Sequence, residues 1–208
     1  MKMKKEWVYR TFVIVLGFLF LWIATDGYTT FTIEEKRLNE LRESPPQIPN
    51  ITVQDNKDRT YHFDEFEGKY MFMTFIYTNC STACPQMEAS MQEVFERLDM
   101  DKYEDDIVFL SVSFDTERDT VEVLDRYANY FNVDGDSWRM LRVPDDNELE
   151  NLLDMYGVTV IPEGSSDFQH NTSFYLIKPD GQLLDTLNYR EPDEAVEVLE
   201  DLLEVGES

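Results

Sequence analysis

From Ile51 onward, short apolar, β-prone runs alternate with stretches whose apolar residues recur at helical spacing. Ile51–Val53 and a run around Thr60–Phe63, separated by a turn at Asp55–Asp58, predict two short strands. Lys69–Thr78 (KYMFMTFIYT) and Ile107–Phe114 (IVFLSVSF) read as strands buried on both faces, because neither alternates with polar residues. Pro85 opens a helical pattern that runs to about Leu98, and Thr120–Phe131 predicts a second helix. Trp138–Val143 is a short strand, and Asp145–Tyr156 a helix with Leu149, Leu152, Leu153 and Tyr156 along one face. Ser173–Ile177 and Gln182–Leu187 flank Pro179-Asp180-Gly181, a hairpin signal, and Pro192–Glu204 closes the chain as a helix. Strands alternating with helices predict an α/β fold. Its central sheet should be largely parallel with right-handed crossovers, flanked by helices and edged by the final antiparallel hairpin.

The first 48 residues follow another pattern. Thr11 to Ala24 carries no charge and follows Lys2, Lys4, Lys5 and Arg10. With Trp7–Tyr9 added and Arg10 snorkelling to the headgroups, the run reaches the length of a membrane-spanning helix. No small-residue cleavage site follows it, which favours a retained signal anchor over a cleaved signal peptide. The basic flank then places Met1 in the cytoplasm and the rest of the chain outside. Residues 26–48 read as a polar linker, with a short amphipathic helix in FTIEEKRLNELRES that Pro45 and Pro46 break. The expected organisation is an anchor over 1–25, a linker over 26–48 and one folded domain over 49–208.

Charge sharpens this division. Residues 1–25 hold four of the 18 bases and one of the 43 acids, so residues 26–208 carry 14 bases against 42 acids, a net charge of −28. Such a surface repels phosphates and sets nucleic acid aside as a partner. Two Cys and two His exclude a disulfide-rich scaffold and a Cys₄ zinc site.

Both Cys fall in Thr78-Asn79-Cys80-Ser81-Thr82-Ala83-Cys84-Pro85, where the first long strand gives way to a helix. That placement is the one found in a thioredoxin-like fold. Backbone N–H groups at a helix start favour a thiolate over a thiol and should lower the cysteine pKa. A thiolate serves as redox nucleophile and as soft-metal ligand alike. The bland alternative is a disulfide staple, but a loop this short returns only about 2 kcal/mol. His170 lies in a polar stretch, Glu163–Asn171, just before the strand Ser173–Ile177. In a thioredoxin-like sheet that position faces the cysteine-bearing helix, so His170 is either a third ligand or a solvated loop residue. Two sulfurs and an imidazole suit Cu(I) or Cu(II); zinc normally asks for a fourth ligand. His62, beside Asp64 and Glu65, reads as surface, and Met87 as packing.

These residues resemble the Sco/SenC family, membrane-anchored copper-binding proteins of cytochrome c oxidase assembly. The likeness rests on TFIYTNCSTACPQM, on SVSFDTERDT (Ser111–Thr120), on His170 ahead of FYLIKPDG and on the N-terminal apolar run. It implies a copper site of Cys80, Cys84 and His170, with Asp115 orienting the site from behind. It also implies a copper chaperone on the outer face of a bacterial cell membrane, held there by a single N-terminal helix. That chaperone would serve the copper-containing subunit of a respiratory oxidase and depend on a thiol reductant. The same dithiol fits a second activity, a thiol–disulfide oxidoreductase that keeps oxidase cysteines reduced. Two positions depart from the family pattern: Ser81 and Thr116 stand where many members carry Pro.

Overall fold

The computed structural model describes residue 7 and residues 10–17, 33–163 and 167–206. Residues 10–17 are helical, and among the described residues no helix is long and apolar enough to cross a membrane. Most of the anchor expected over 1–25, and residues 26–32 of the linker, lie outside the described residues. The amphipathic segment is helix α1 (Ile33–Glu43). Glu34 and Glu35 in its first turn and Arg42 in its last complement the helix dipole.

The folded unit begins at Ser44. Its strands are β1 (Thr52–Asp55), β2 (Thr60–His62), β3 (Tyr70–Ile76), β4 (Ile107–Ser113), β5 (Trp138–Arg142), β6 (Val160–Glu163), β7 (Asp167–His170), β8 (Phe174–Ile177) and β9 (Leu183–Leu187). The helices are α2 (Ala83–Arg97), the single turn α3 (Met100–Tyr103), α4 (Val121–Ala128), α5 (Asp146–Met155) and α6 (Pro192–Gly206). Seven strands form one sheet in the order β2-β1-β5-β4-β3-β8-β9. Only β3, β4 and β5 run parallel. The sheet is therefore mixed, not largely parallel. The N-terminal hairpin β1–β2 docks antiparallel on β5, with Gln54 opposite Arg142, and β8–β9 docks antiparallel on β3.

Residue type accounts for the centre of the sheet. β4 is buried along its whole length and β3 in all but its first residue, as continuous apolar runs require. Phe72 contacts Phe109 at 5.3 Å and Phe174 at 4.8 Å between ring centres, tying β3, β4 and β8 together. Phe95 of α2 closes over Phe109 and the fully buried Trp138 at 5.2 and 5.6 Å. On the same helix, Arg97 pairs with Asp193 of α6 at 2.6 Å. The predicted Pro-Asp-Gly turn joins β8 to β9, with Gly181 at φ +83°. A side chain there would be strained, and its Cβ would meet Gln47 Nε2 at 2.6 Å. Pro46–Ile48, assigned to the linker on sequence, runs beside that turn: Leu183 N–H donates to Pro46 O at 2.9 Å and Ile48 N–H to Gly181 O at 2.8 Å.

Asp145 caps α5, its carboxylate accepting the N–H groups of Asn147 (2.9 Å) and Glu148 (3.0 Å). Replacing Asp145 with Ala should destabilise the domain by about 1 kcal/mol. Urea titration reads this directly, and an unchanged midpoint would mean the cap contributes nothing.

Candidate metal centre

The cysteine site is built where β3 runs out. Tyr77, fully buried, packs its ring 5.2 Å from that of Phe114 just beyond β4. The chain then turns, with Cys80 N–H donating to Tyr77 O at 3.3 Å, and enters α2 at Ala83. Thr82 occupies the N-cap position, yet its hydroxyl makes no capping bond. Instead the Cys84 N–H donates to Cys80 Sγ at 3.3 Å. A sulfur fills the place that a side-chain oxygen usually takes at a helix start, where oriented N–H groups favour an anionic acceptor.

Cys80 and Cys84 are present as thiols, not as a disulfide. Cys84 is fully buried and Cys80 retains 7% exposure, so Cys80 is the more accessible of the two thiols. The hydrogen bond with Cys80, followed by burial, pushes the Cys84 thiol well above its ordinary pKa. This reverses the lowering expected from the helix start: the hydrogen bond with Cys80 and, after it, loss of water raise the inner sulfur's pKa.

Two buried acids stand beyond β4. Asp115 is buried; its N–H donates to Ser113 Oγ at 3.2 Å and its carboxylate accepts Arg118 Nε. Asp119, fully buried, accepts the Thr78 N–H at 3.0 Å together with the hydroxyls of Thr78 and Ser113. The Arg-Asp-Thr triplet shows Asp119 in the sequence, but its role is visible only once Thr78 is seen to fold back onto it.

A third acid was not anticipated. Glu88, one turn beyond Cys84 on α2, is fully buried. Ser111 Oγ lies 3.1 Å from its Oε2 and also accepts Trp138 Nε1–H at 3.1 Å, while Oε1 has no hydrogen-bond partner. Burial pushes the Glu88 carboxyl up to about 8, against a smaller opposing pull from Ser111. Its signal was present: Cys84, Met87, Glu88 and Met91 share the i, i+3, i+4, i+7 stripe that faces the core.

The sequence predicts a loop around His170, whereas the backbone forms a two-stranded hairpin, β6–β7. His170 ends β7 opposite Val160. Its side chain lies outside the described residues. Among the described residues no three metal-ligating side chains gather at one point. His62 is exposed and Met87 buried, as surface and packing residues respectively. The structure thus brings Cys80 and Cys84 together and turns Asp115 toward Arg118. Two thiols converging at a helix start form a donor set suited to a soft metal ion such as copper.

Known proteins resemble this chain in sequence and fold. A sequence model of the family described as SCO1/SenC matches residues 41–204. The SCO1 protein homolog of Bacillus subtilis is 29% identical over 144 residues, covering 68% of this chain and 74% of that protein. BsSco, a member of the Sco family of cytochrome c oxidase assembly proteins with a disulfide switch, superimposes with a TM-score of 0.65 at 25% identity, over 76% of this chain and 94% of its own. Copper-bound ScoI of Bradyrhizobium japonicum gives a TM-score of 0.63 at 24% identity, over 75% and 99% of the two chains, and shows the shared fold.

Proposed function

The chain belongs to the SCO1/SenC family, and from that premise we propose that it is a copper carrier of cytochrome c oxidase assembly. In this reading Cys80, Cys84 and His170 hold copper and Asp115 orients the site. The domain stands on the outer face of a bacterial membrane, anchored through residues 1–25, and passes copper to the CuA-bearing subunit of a respiratory oxidase. The supporting observation is the pair of thiols at the start of α2, with a backbone N–H donated to Cys80 Sγ at 3.3 Å. Cys80 with its residual exposure receives the metal, and the inner Cys84 completes the thiolate pair as its proton leaves. Copper is the cargo; the fold contributes two buried thiols, a soft donor set.

The same adjacency supports a second reading, a thiol–disulfide oxidoreductase acting on oxidase cysteines. A dithiol must be reduced before it binds copper, so the two activities share one resting state. Metal loading separates them. The full chain, reduced and mixed with Cu(I) without oxygen, should retain about one copper per protein after desalting, and the oxidised form none. Reduced protein that retains no copper would exclude the carrier reading.

A further inference from the structure

The two loops that make the site are tied by one buried side chain. Thr78 stands two residues before Cys80, and Asp119 grips it twice, through its backbone N–H at 3.0 Å and through its hydroxyl. The same carboxylate accepts the Ser113 hydroxyl, and Ser113 Oγ accepts the Asp115 N–H at 3.2 Å. Asp119 N–H in turn donates to Asp115 O at 2.9 Å, closing the loop between the two acids.

We infer that Asp119 is a positioning residue that fixes Cys80 by clamping Thr78. This rests on the proposed role of Cys80 as the copper-receiving thiol. Three features carry the inference. First, Asp119 is fully buried, and a carboxylate accepting three hydrogen bonds there is costly to disturb. Second, its bonds reach the cysteine loop rather than the cysteines, so it acts on sulfur position and not on sulfur chemistry. Third, the anchored Thr78 lies on the strand side of the loop, two residues ahead of Cys80, so a shift at Thr78 is passed along the chain to the cysteine. Asp115, expected from the family likeness to orient the site, is engaged with Arg118 and linked to this clamp through Ser113. The spacing Asp115–Asp119 thus joins an outer, ion-paired acid to an inner acid that holds the loop.

The test uses Asp119→Asn, Thr78→Val and Thr78→Ser in the full chain. Cys80 reactivity is read as its iodoacetamide alkylation rate in reduced protein, mapped by mass spectrometry, and Cu(I) affinity by chelator competition. Leu183→Ala on β9, at the far edge of the sheet, is the control for a general loss of stability. Asp119→Asn and Thr78→Val should speed Cys80 alkylation at least about tenfold and weaken copper binding roughly 10–100-fold, the range for residues that orient metal ligands. Thr78→Ser, which keeps the hydroxyl, should stay near wild type, as should Leu183→Ala at a temperature where it remains folded. If Asp119→Asn does not fold, Thr78→Val and Thr78→Ser decide the matter alone. Cys80 rates in Thr78→Val equal to wild type would overturn the clamp. The alkylation readout is independent of copper: wild-type protein that binds none removes the carrier reading, while an accelerated Thr78→Val still supports the clamp.

Discussion

Cys80→Ala or Cys84→Ala should abolish tight copper binding, and His170→Ala should weaken it by at least about 100-fold while leaving disulfide formation between the cysteines intact. The asymmetry follows from what each residue contributes to the proposed site. The cysteines supply both the soft donors and the electrons of the thiol–disulfide couple, so losing either ends both activities. An imidazole ligand contributes to metal binding alone. Changes to groups that merely orient a ligand typically cost 10–100-fold in affinity, and loss of the ligand itself should cost at least as much. Chelator competition with Cu(I) measures the affinities, and thiol counting after mild oxidation measures the disulfide. In a deletion strain grown at low copper, His170→Ala should fail to restore oxidase activity. Full restoration would remove His170 from the copper site and leave the oxidoreductase reading standing.

The parts of this molecule legible in its sequence are those where one residue property settles the structure. Runs such as MFMTFI and IVFLSVS have no polar face, so they belong at the centre of a sheet, and they form β3 and β4. Leu149 and Leu152 on one stripe lay down α5, and Pro179-Asp180-Gly181 turns β8 into β9 because Gly181 accepts positive φ. The cysteine pair was legible as a candidate site because the strand-to-helix junction is itself a sequence feature. What was hidden depends on distant partners. Nothing local tells Gln54 to lie opposite Arg142, so the antiparallel docking of β1 on β5 was missed. The segment holding His170 lacks an alternating apolar pattern, so β7, four residues long, reads as loop, and β6 before it carries no strand signal. Ser111 and Ser113 look like interruptions of an apolar run. Folded, they are the partners of two buried acids, Glu88 and Asp119.

Glu88 leads to the largest stability effect expected of a single residue here. Its carboxyl titrates near its ordinary value of 4.5 in the unfolded chain and is pushed up to about 8 in the folded one by complete burial. Between those two values the folded state keeps a proton that the unfolded state has released. Stability attributable to this group is therefore fully present below about 4.5. It falls as pH rises, by up to about 1.4 kcal/mol per unit, and the decline ends above about 8, where both states are ionised. One proton arrangement satisfies the neutral acid: its O–H donates to Ser111 Oγ, and the Ser111 hydroxyl turns to Met91 Sδ, 3.6 Å away. Oε1 is then a carbonyl without a partner, a far smaller penalty than an anionic oxygen without one. Glu88→Gln keeps the shape and cannot ionise. It should match wild type within about 1 kcal/mol at pH 5, and at pH 8 exceed it by several kcal/mol, a large fraction of a domain's 5–15 kcal/mol or so. Urea titrations of both proteins at pH 5, 6.5 and 8 give the comparison, and the other acids of the chain cancel in the difference. Parallel pH curves for the two proteins would mean that Glu88 is ionised in the folded core, and that another group supplies its counter-charge.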